Sequence, residues 1–457
     1  MVNALKNLWK QKCILIVLIF AQLLLNFIGM FLPEGFQKVL MSSSGCVLLA
    51  INVYAVYNQR HNVIIMLLNI MLLYFNYSLV SAVYWNVDAL HSIFEPYCYK
   101  DFLYSINIVL LFFGTYAVLL KDNSAIDRTA FLSRGKPTFF VVIACTLYIA
   151  LAPFLFYKTE SFGTRGIITV WYEYSLVIMI VALRFCRRDP RAVGMLLVAS
   201  AWLILHGLLH GERVLALQMM IVWGLYLLLH VLSFKLVIPA CIAGILLFTI
   251  FGMYRGLSAL EGNALSNAFA YLLRGSLTND TSYFAYWASL SIMRFADVVS
   301  FWERPLYFLR YLLYIVFGSI VPDVNLSTLS MQYNVHTGGG WLPFYANFWL
   351  GFPGVLLAGA GVAWLLNTVS RLVKGRHYLN YLTLYIIATC PRWYLYSPSS
   401  ITRGILIFSA FYCACLIAQA VVSHFWSRKE THIPVNPDRS KKRLVFVWEW
   451  LKNQERR

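Results

Sequence analysis

The run Thr138-Phe-Phe-Val-Val-Ile-Ala-Cys-Thr-Leu-Tyr-Ile-Ala-Leu-Ala-Pro-Phe-Leu-Phe-Tyr157 carries no charge over a length that, wound as a helix, crosses a bilayer. A hydrocarbon layer about 30 Å thick needs about 20 apolar residues. Runs of the same kind recur at 14–32, 38–57, 62–85, 102–120, 167–185, 192–209, 214–233, 236–253, 343–369, 378–396 and 404–426. With the first they make about twelve spans, and the fold class they predict is an all-α polytopic membrane protein. Composition agrees: 60% of the residues are hydrophobic and 12% charged, against about 25% charged in soluble domains. The chain divides accordingly into spans 1–9 (1–253), a long loop (254–342), spans 10–12 (343–426) and a basic tail (427–457).

Lys6, Lys10 and Lys12 precede the first apolar run as in a signal peptide, but Phe20 to Leu32 continues without a small-residue cleavage site. It reads as a retained span. Lysine and arginine in short loops set the orientation. Gln59 to His61, Arg128 to Lys136, Arg184 to Arg191 and Arg371 to His377 then face the cytoplasm, as do both ends. The net charge of +18 describes that face and the tail, where Arg439 to Arg443 precedes Phe446-Val-Trp-Glu-Trp450. Basic residues followed by tryptophan beside a membrane suit anionic headgroups better than nucleic acid. Most of the nine cysteines fall inside spans, so no disulfide framework is expected.

Three arginines break the charge rule. Arg165, Arg213 and Arg403 open spans on the outer side, where the positive-inside bias and the positive end of a helix both disfavour a cation. An anion among them would resolve the conflict. The loop 254–342 adds Arg255, Arg274, Arg294, Arg304 and Arg310 but no lysine, interleaved with Tyr283-Phe-Ala-Tyr-Trp287 and Phe301-Trp302. Guanidinium is the forked partner of phosphate oxygens and pairs with aromatic faces. The plain alternative is pairing with Glu261, Asp280, Asp297, Glu303 and Asp323. Leu306 to Ile320 is short for a span and reads as a helix in the interface or re-entering the bilayer.

The loop closes on Tyr333-Asn-Val-His336-Thr-Gly338-Gly339-Gly340-Trp-Leu-Pro343 and runs into an aromatic helix containing Tyr345 and Gly351-Phe-Pro-Gly354. Consecutive glycines let backbone amides approach a ligand and release φ angles that other residues avoid, although a hinge would use them equally well. His206 and His210 stand one helical turn apart with Glu212 beyond, but no third ligand has diagnostic spacing, so no metal is expected. There is no Gly-rich nucleotide loop and no Asp-x-Asp motif, so no cofactor is expected either.

In its hydropathy layout and three local matches the chain resembles the O-antigen polysaccharide polymerases, the Wzy-type oligosaccharide repeat-unit polymerases. The matches are Gly211-Glu212-Arg213 opening a helix, a long outer loop beginning at Arg255, and His336-x-Gly-Gly leading into the aromatic helix up to Gly354. The related O-antigen ligases share these features. The resemblance implies a glycosyltransferase of the GT-C-like, all-helical kind in a bacterial inner membrane. It would polymerise undecaprenyl-diphosphate-linked oligosaccharide units at the periplasmic face, with a chain-length regulator as a possible partner. On that reading Arg213, Arg165 and Arg403 hold the diphosphate, with Arg255, Arg274 and Arg294, the glycines 338–340 and Tyr345 around it. His336 is the first candidate for a base, with Asp280 and Glu303 as rivals. The competing readings are a ligase with the same donor, and a flippase, whose sequence is expected to show Gly/Pro-broken helix pairs in two related halves. Neither such pairs nor related halves are seen in this sequence.

Overall fold

A computed structural model describes residues 2–86, 97–121, 135–158, 167–210, 212–228, 231–254, 280–322, 324–336, 338–372 and 377–429. Within them the chain is all-α, and eight helices are long and apolar enough to cross a membrane. In order they are α1 (Val2–Gly29), α2 (Glu34–Asn58), α3 (Val63–Leu79), α4 (Tyr99–Leu119), α5 (Phe139–Phe156), α6 (Val170–Cys186), α7 (Pro190–Leu209), α8 (Arg213–Leu228) and α9 (Phe234–Tyr254). After them come α10 (Asp280–Val298), α11 (Arg304–Phe317), α12 (Leu326–Ser330), α13 (Leu342–Leu372), α14 (His377–Ala388), α15 (Cys390–Leu395) and α16 (Ser399–Lys429). Beside them stands one antiparallel pair, β1 (Tyr157–Lys158) against β2 (Ile167–Ile168).

The eight are α1 to α5, α7, α13 and α16, so the expected twelve spans correspond to helices but not to twelve full crossings among the described residues. Residues 170–186 make only 17 residues of helix, with Glu173 and Arg184 inside it. The expected span 378–396 is two pieces. Helix α14 stops at Ala388 and α15 restarts at Cys390: Pro391 has no amide to continue the bonding of α14, and it sits in the first turn of the new helix, where none is needed. The expected span 343–369 is also interrupted: Gly351 takes φ 65° and ψ −154° two residues before Pro353. These breaks interrupt two stretches that hydropathy reads as continuous spans.

Side chains mark the starts of helices. The Asn62 side chain accepts from Ile65 N at 3.2 Å, Asp189 accepts from Arg191 N and Ala192 N at 3.0 Å each, and Asn325 accepts from Ser327 N at 3.2 Å. At α4 the Asp101 carboxylate reaches back to Cys98 N at 2.9 Å, closing a capping box. Arg187 and Arg188, with φ of 45° and 55°, turn the chain between α6 and α7.

The fold divides into two units. Among the described residues, the first holds those within 1–125, 233–370 and 389–403, and the second those within 126–232, 371–388 and 404–429. In the first unit α2 packs on α1, α3 and α4, and the contacts carry amides that lipid would leave unsatisfied. Gln22 donates to Asn26 and Ser44 at 3.0 Å each, and Asn26 donates to Asn107 at 2.8 Å. Asn76 donates to Asn52 at 3.0 Å and accepts from Tyr394 of α15 at 3.1 Å. The last turn of α3 widens to a π-turn over Val80–Tyr84, and Tyr84 meets Tyr286 of α10 at 3.1 Å between the hydroxyls. Such turns are frequent where a helix serves a site. In the second unit α5 packs on α6 and α7, and α7 on α8. His206 and His210 stack at 4.3 Å, with Tyr172 OH 3.2 Å from His206 Nδ1 and His210 Nδ1 2.9 Å from His206 O.

Candidate functional site

The site lies in the first unit and is built on α10. One face of this helix is small and buried, with Ala285, Ala288 and Ser289 packed towards α12, α3 and α15. Small side chains permit that closeness. Ser289 Oγ accepts from Trp341 N at 2.8 Å, and Trp341 Nε1 donates to Ser282 O at 3.2 Å. The glycine stretch is thereby tied along α10.

That stretch takes a backbone course open to glycine: Gly338, Gly339 and Gly340 have φ of 91°, 98° and 142°. Gly338 N donates to His336 Nδ1 at 3.0 Å, and His336 Nε2 stands 3.1 Å from Ser330 Oγ, whose own proton goes to Ser327 O at 3.1 Å. These partners assign the proton to Nε2 and leave both nitrogens engaged. Burial lowers the His336 pKa, favouring that neutral ring. Gly340 N donates to Leu395 O at 2.9 Å, and Tyr345 OH to Tyr396 O at 3.0 Å. A Cβ on Gly340 would stand 2.7 Å from Ile292 and 2.8 Å from Tyr345. Close packing accounts for the glycine there, and the amides of Gly338 and Gly340 are committed within the protein.

Beside this strap is a charged cluster. Arg294 Nη2 is 3.1 Å from Asp101 Oδ2, and Nη1 is 3.9 Å from Asp297 one turn along α10. The guanidinium lies 5.2 Å from the centre of the Tyr97 ring. Asn334, just before the strap, donates to Tyr97 OH at 3.4 Å, so Tyr97 joins the two parts. Burial raises the pKa of that phenol. Tyr104 exchanges hydrogen bonds with Asn347 at 3.2 and 3.4 Å and packs on Phe352, ring centres 5.4 Å apart. The Arg294 and Asp101 side chains are 37% and 23% exposed, while Asp297 at 70% faces solvent. Partial burial pushes the Asp297 carboxyl up; Arg294 pulls it down, Asp101 pushes it up further and Arg304 opposes. Arg304 itself binds the carbonyls of Ala296 and Val299, the end of α10.

The residues singled out in the sequence thus divide. His336, the three glycines and Tyr345 come together in the strap. Arg294 pairs with acids, the plain alternative, and one of them is the Asp297 foreseen for that role. Arg403 Nη1 donates to Tyr314 O at 3.2 Å, and its guanidinium lies 5.2 Å over the Tyr314 ring and against Gly318. It closes the end of α11, where a cation is favoured. Glu303 is exposed in the turn before α11. Arg213 opens α8 in the second unit and Asp280 opens α10 in the first. Arg165, Arg255 and Arg274 lie outside the described residues, as does the basic tail. Sequence reasoning missed Asp101, Tyr97, Tyr104 and Asn347. The spacing Cys98-x-x-Asp101 before an apolar run was a usable cap signal; the aromatic partners left none.

Chemically, the cluster offers two carboxylates about one cation, with the buried Tyr97 ring against the guanidinium and the half-buried Tyr104 nearby. Carboxylates accept from sugar hydroxyls, aromatic rings stack on the apolar faces of sugars, and an ionised exposed carboxylate can take a proton. No protein-family model, no curated protein and no solved structure matches the chain.

Proposed function

We propose that the chain is a membrane glycosyltransferase that joins oligosaccharide units carried on undecaprenyl diphosphate, building O-antigen or a related surface polysaccharide. On this reading it sits in a bacterial inner membrane with both termini cytoplasmic, and its outer segment, including α10 to α12, faces the periplasm. The observation that supports the reading is the partly exposed Asp101–Arg294–Asp297 cluster, backed by the buried Tyr97 ring and with the half-buried Tyr104 nearby, which offers a glycan acceptor carboxylates and a guanidinium for its hydroxyls.

A sugar hydroxyl of the acceptor attacks the anomeric carbon of the donor chain. The carbon–oxygen bond to the diphosphate breaks, the lipid diphosphate leaves with the electron pair, and the hydroxyl proton passes to a base. Asp297 is the better placed base, since it is exposed and held above the usual carboxylate range, whereas His336 frees Nδ1 only by releasing Gly338. Arg213, Arg165, Arg255, Arg274 and Arg403 are the candidates for the leaving charge. One such donor is worth about 2.7 to 4 kcal/mol in a preorganised site.

The test is chain growth by the purified protein in lipid, supplied with a lipid-linked oligosaccharide repeat unit. Growth that is lost in Asp297→Asn and in Arg213→Ala supports the proposal; a product ladder unchanged in both variants defeats it. A flippase for the same lipid is the second reading, favoured by the breaks at Gly351 and Thr389, since interrupted helices line the sites of transporters. Movement of the lipid-linked unit across the bilayer without chain growth would select it.

A further inference from the structure

In the second unit, Arg184 occupies the last turn of α6 and is 7% exposed. Its Nε is shut off from solvent and has no hydrogen-bond partner among the described residues. Both polar side-chain atoms of Asn380 in α14 share that condition, and the Tyr226 hydroxyl of α8 is buried with the Arg188 backbone beside it and its proton unplaced. The three helices pack on one another. Tyr381 OH donates to Leu183 O at 3.4 Å, which sets the beginning of α14 beside the end of α6, and Tyr381 lies within electrostatic reach of both Arg184 and Tyr226. Arg188 adds a second guanidinium, donating to Tyr226 O at 2.7 Å with its centre 5.0 Å from the Tyr226 ring. The acid in this turn, Asp189, spends its carboxylate on the first amides of α7.

A cation in the last turn of a helix is favoured by the helix dipole, and that accounts for the sign of Arg184. It does not account for burying the charge with a donor unused, since a buried cation is costly unless an anion faces it. We propose that Arg184, Tyr226 and the first turn of α14 bind a phosphate group, either the headgroup of an acidic phospholipid or phosphate free in solution. The forked guanidinium matches phosphate oxygens, a helix N-terminus adds amides and positive potential, and the tyrosine hydroxyl supplies a neutral donor. The site is independent of the glycan chemistry proposed for the first unit.

The full-length protein, purified in maltoside micelles that contain no phosphate, is titrated with phosphatidylglycerol and separately with inorganic phosphate while its unfolding temperature is followed. The expected result is a saturable rise in unfolding temperature. Arg184→Gln requires about tenfold more ligand for the same rise and Tyr226→Phe about threefold more, as loss of a charged and of a neutral hydrogen bond dictates. A rise with phosphatidylglycerol alone identifies the lipid headgroup, and an equal rise with inorganic phosphate identifies the free anion. The proposal is overturned if neither ligand stabilises the wild type, or if the variants respond as the wild type does. Should Arg184→Gln not fold, Arg184→Lys and Tyr226→Phe decide it, and unchanged affinity in both overturns it.

Discussion

The carboxylate of Asp101 serves two partners with one oxygen: Oδ2 accepts from Cys98 N at 2.9 Å to close the first turn of α4, and from Arg294 of α10 at 3.1 Å. A helix start and a cross-chain contact are thereby fixed together. Arg294→Ala removes only the second. Because the pair is partly exposed, the coupling is about 0.5 to 1 kcal/mol. A double-mutant cycle of Arg294→Ala with Asp101→Asn, read by thermal unfolding in detergent, should return a coupling of that size. A value of zero would mean that the two side chains act separately.

His336 makes stability depend on pH. Its folded pKa lies below the ordinary imidazole value near 6.5, so between the two values the unfolded chain binds the proton more readily. Stability is therefore complete above about 6.5 and declines as pH falls through that window towards the lowered value. Unfolding temperatures from pH 7.5 to 5.5 should show the decline, and His336→Asn should flatten it.

Gly340 and Gly361 make a matched contrast. A Cβ at Gly340 meets Ile292 and Tyr345 and forces φ of 142° on an L-residue, whereas one at Gly361 meets nothing within 4 Å. Gly340→Ala should cost about 2 kcal/mol or more, from strain and overpacking together. Gly361→Ala should be neutral or slightly stabilising, because it reduces the freedom of the unfolded chain. The yield and unfolding temperature of the two variants check this.

Tyr394 carries α15 into α3 by its bond to Asn76 and by stacking on Phe75 at 6.2 Å. Tyr394→Phe removes one interhelical hydrogen bond, worth about 0.6 to 1.7 kcal/mol in a membrane protein. Tyr394→Ala empties a buried ring site as well and should cost about 3 to 5 kcal/mol. Equal unfolding temperatures for the two variants would show that the ring contributes nothing.

For the proposed reaction, the pH profile distinguishes the bases. Asp297 must be ionised to accept a proton and its pKa is raised, so chain growth should climb with pH only above the ordinary carboxylate range near 3.9. The fold responds oppositely to this group, since a raised carboxyl is stabilised when protonated and its contribution falls as pH rises through the same interval. Asp297→Asn should remove the climb in rate.

Helix content was legible because burial in lipid writes long apolar runs, and every expected span between 14 and 426 is largely helical among the described residues. The breaks were not read, although Pro353 and Pro391 announced them, because uninterrupted hydropathy conceals a backbone change of one or two residues. The strap from His336 to Gly340 was visible as a glycine cluster; its internal bonding was not, since Leu395 and Ser289 lie far off in sequence. Arg294 drew attention as a cation, yet its partner Asp101 is 193 residues away, a distance that no local pattern spans.

Gly351 leaves α13 as two rigid arms meeting at one non-helical residue. The shorter arm carries Tyr345 and Asn347, bound to the strap and to Tyr104; the longer one carries Asn367, which holds Leu119 O at the end of α4. At that elbow the helical hydrogen-bond ladder is interrupted, so the direction of one arm does not fix that of the other. Each arm therefore takes its direction from its own set of hydrogen bonds.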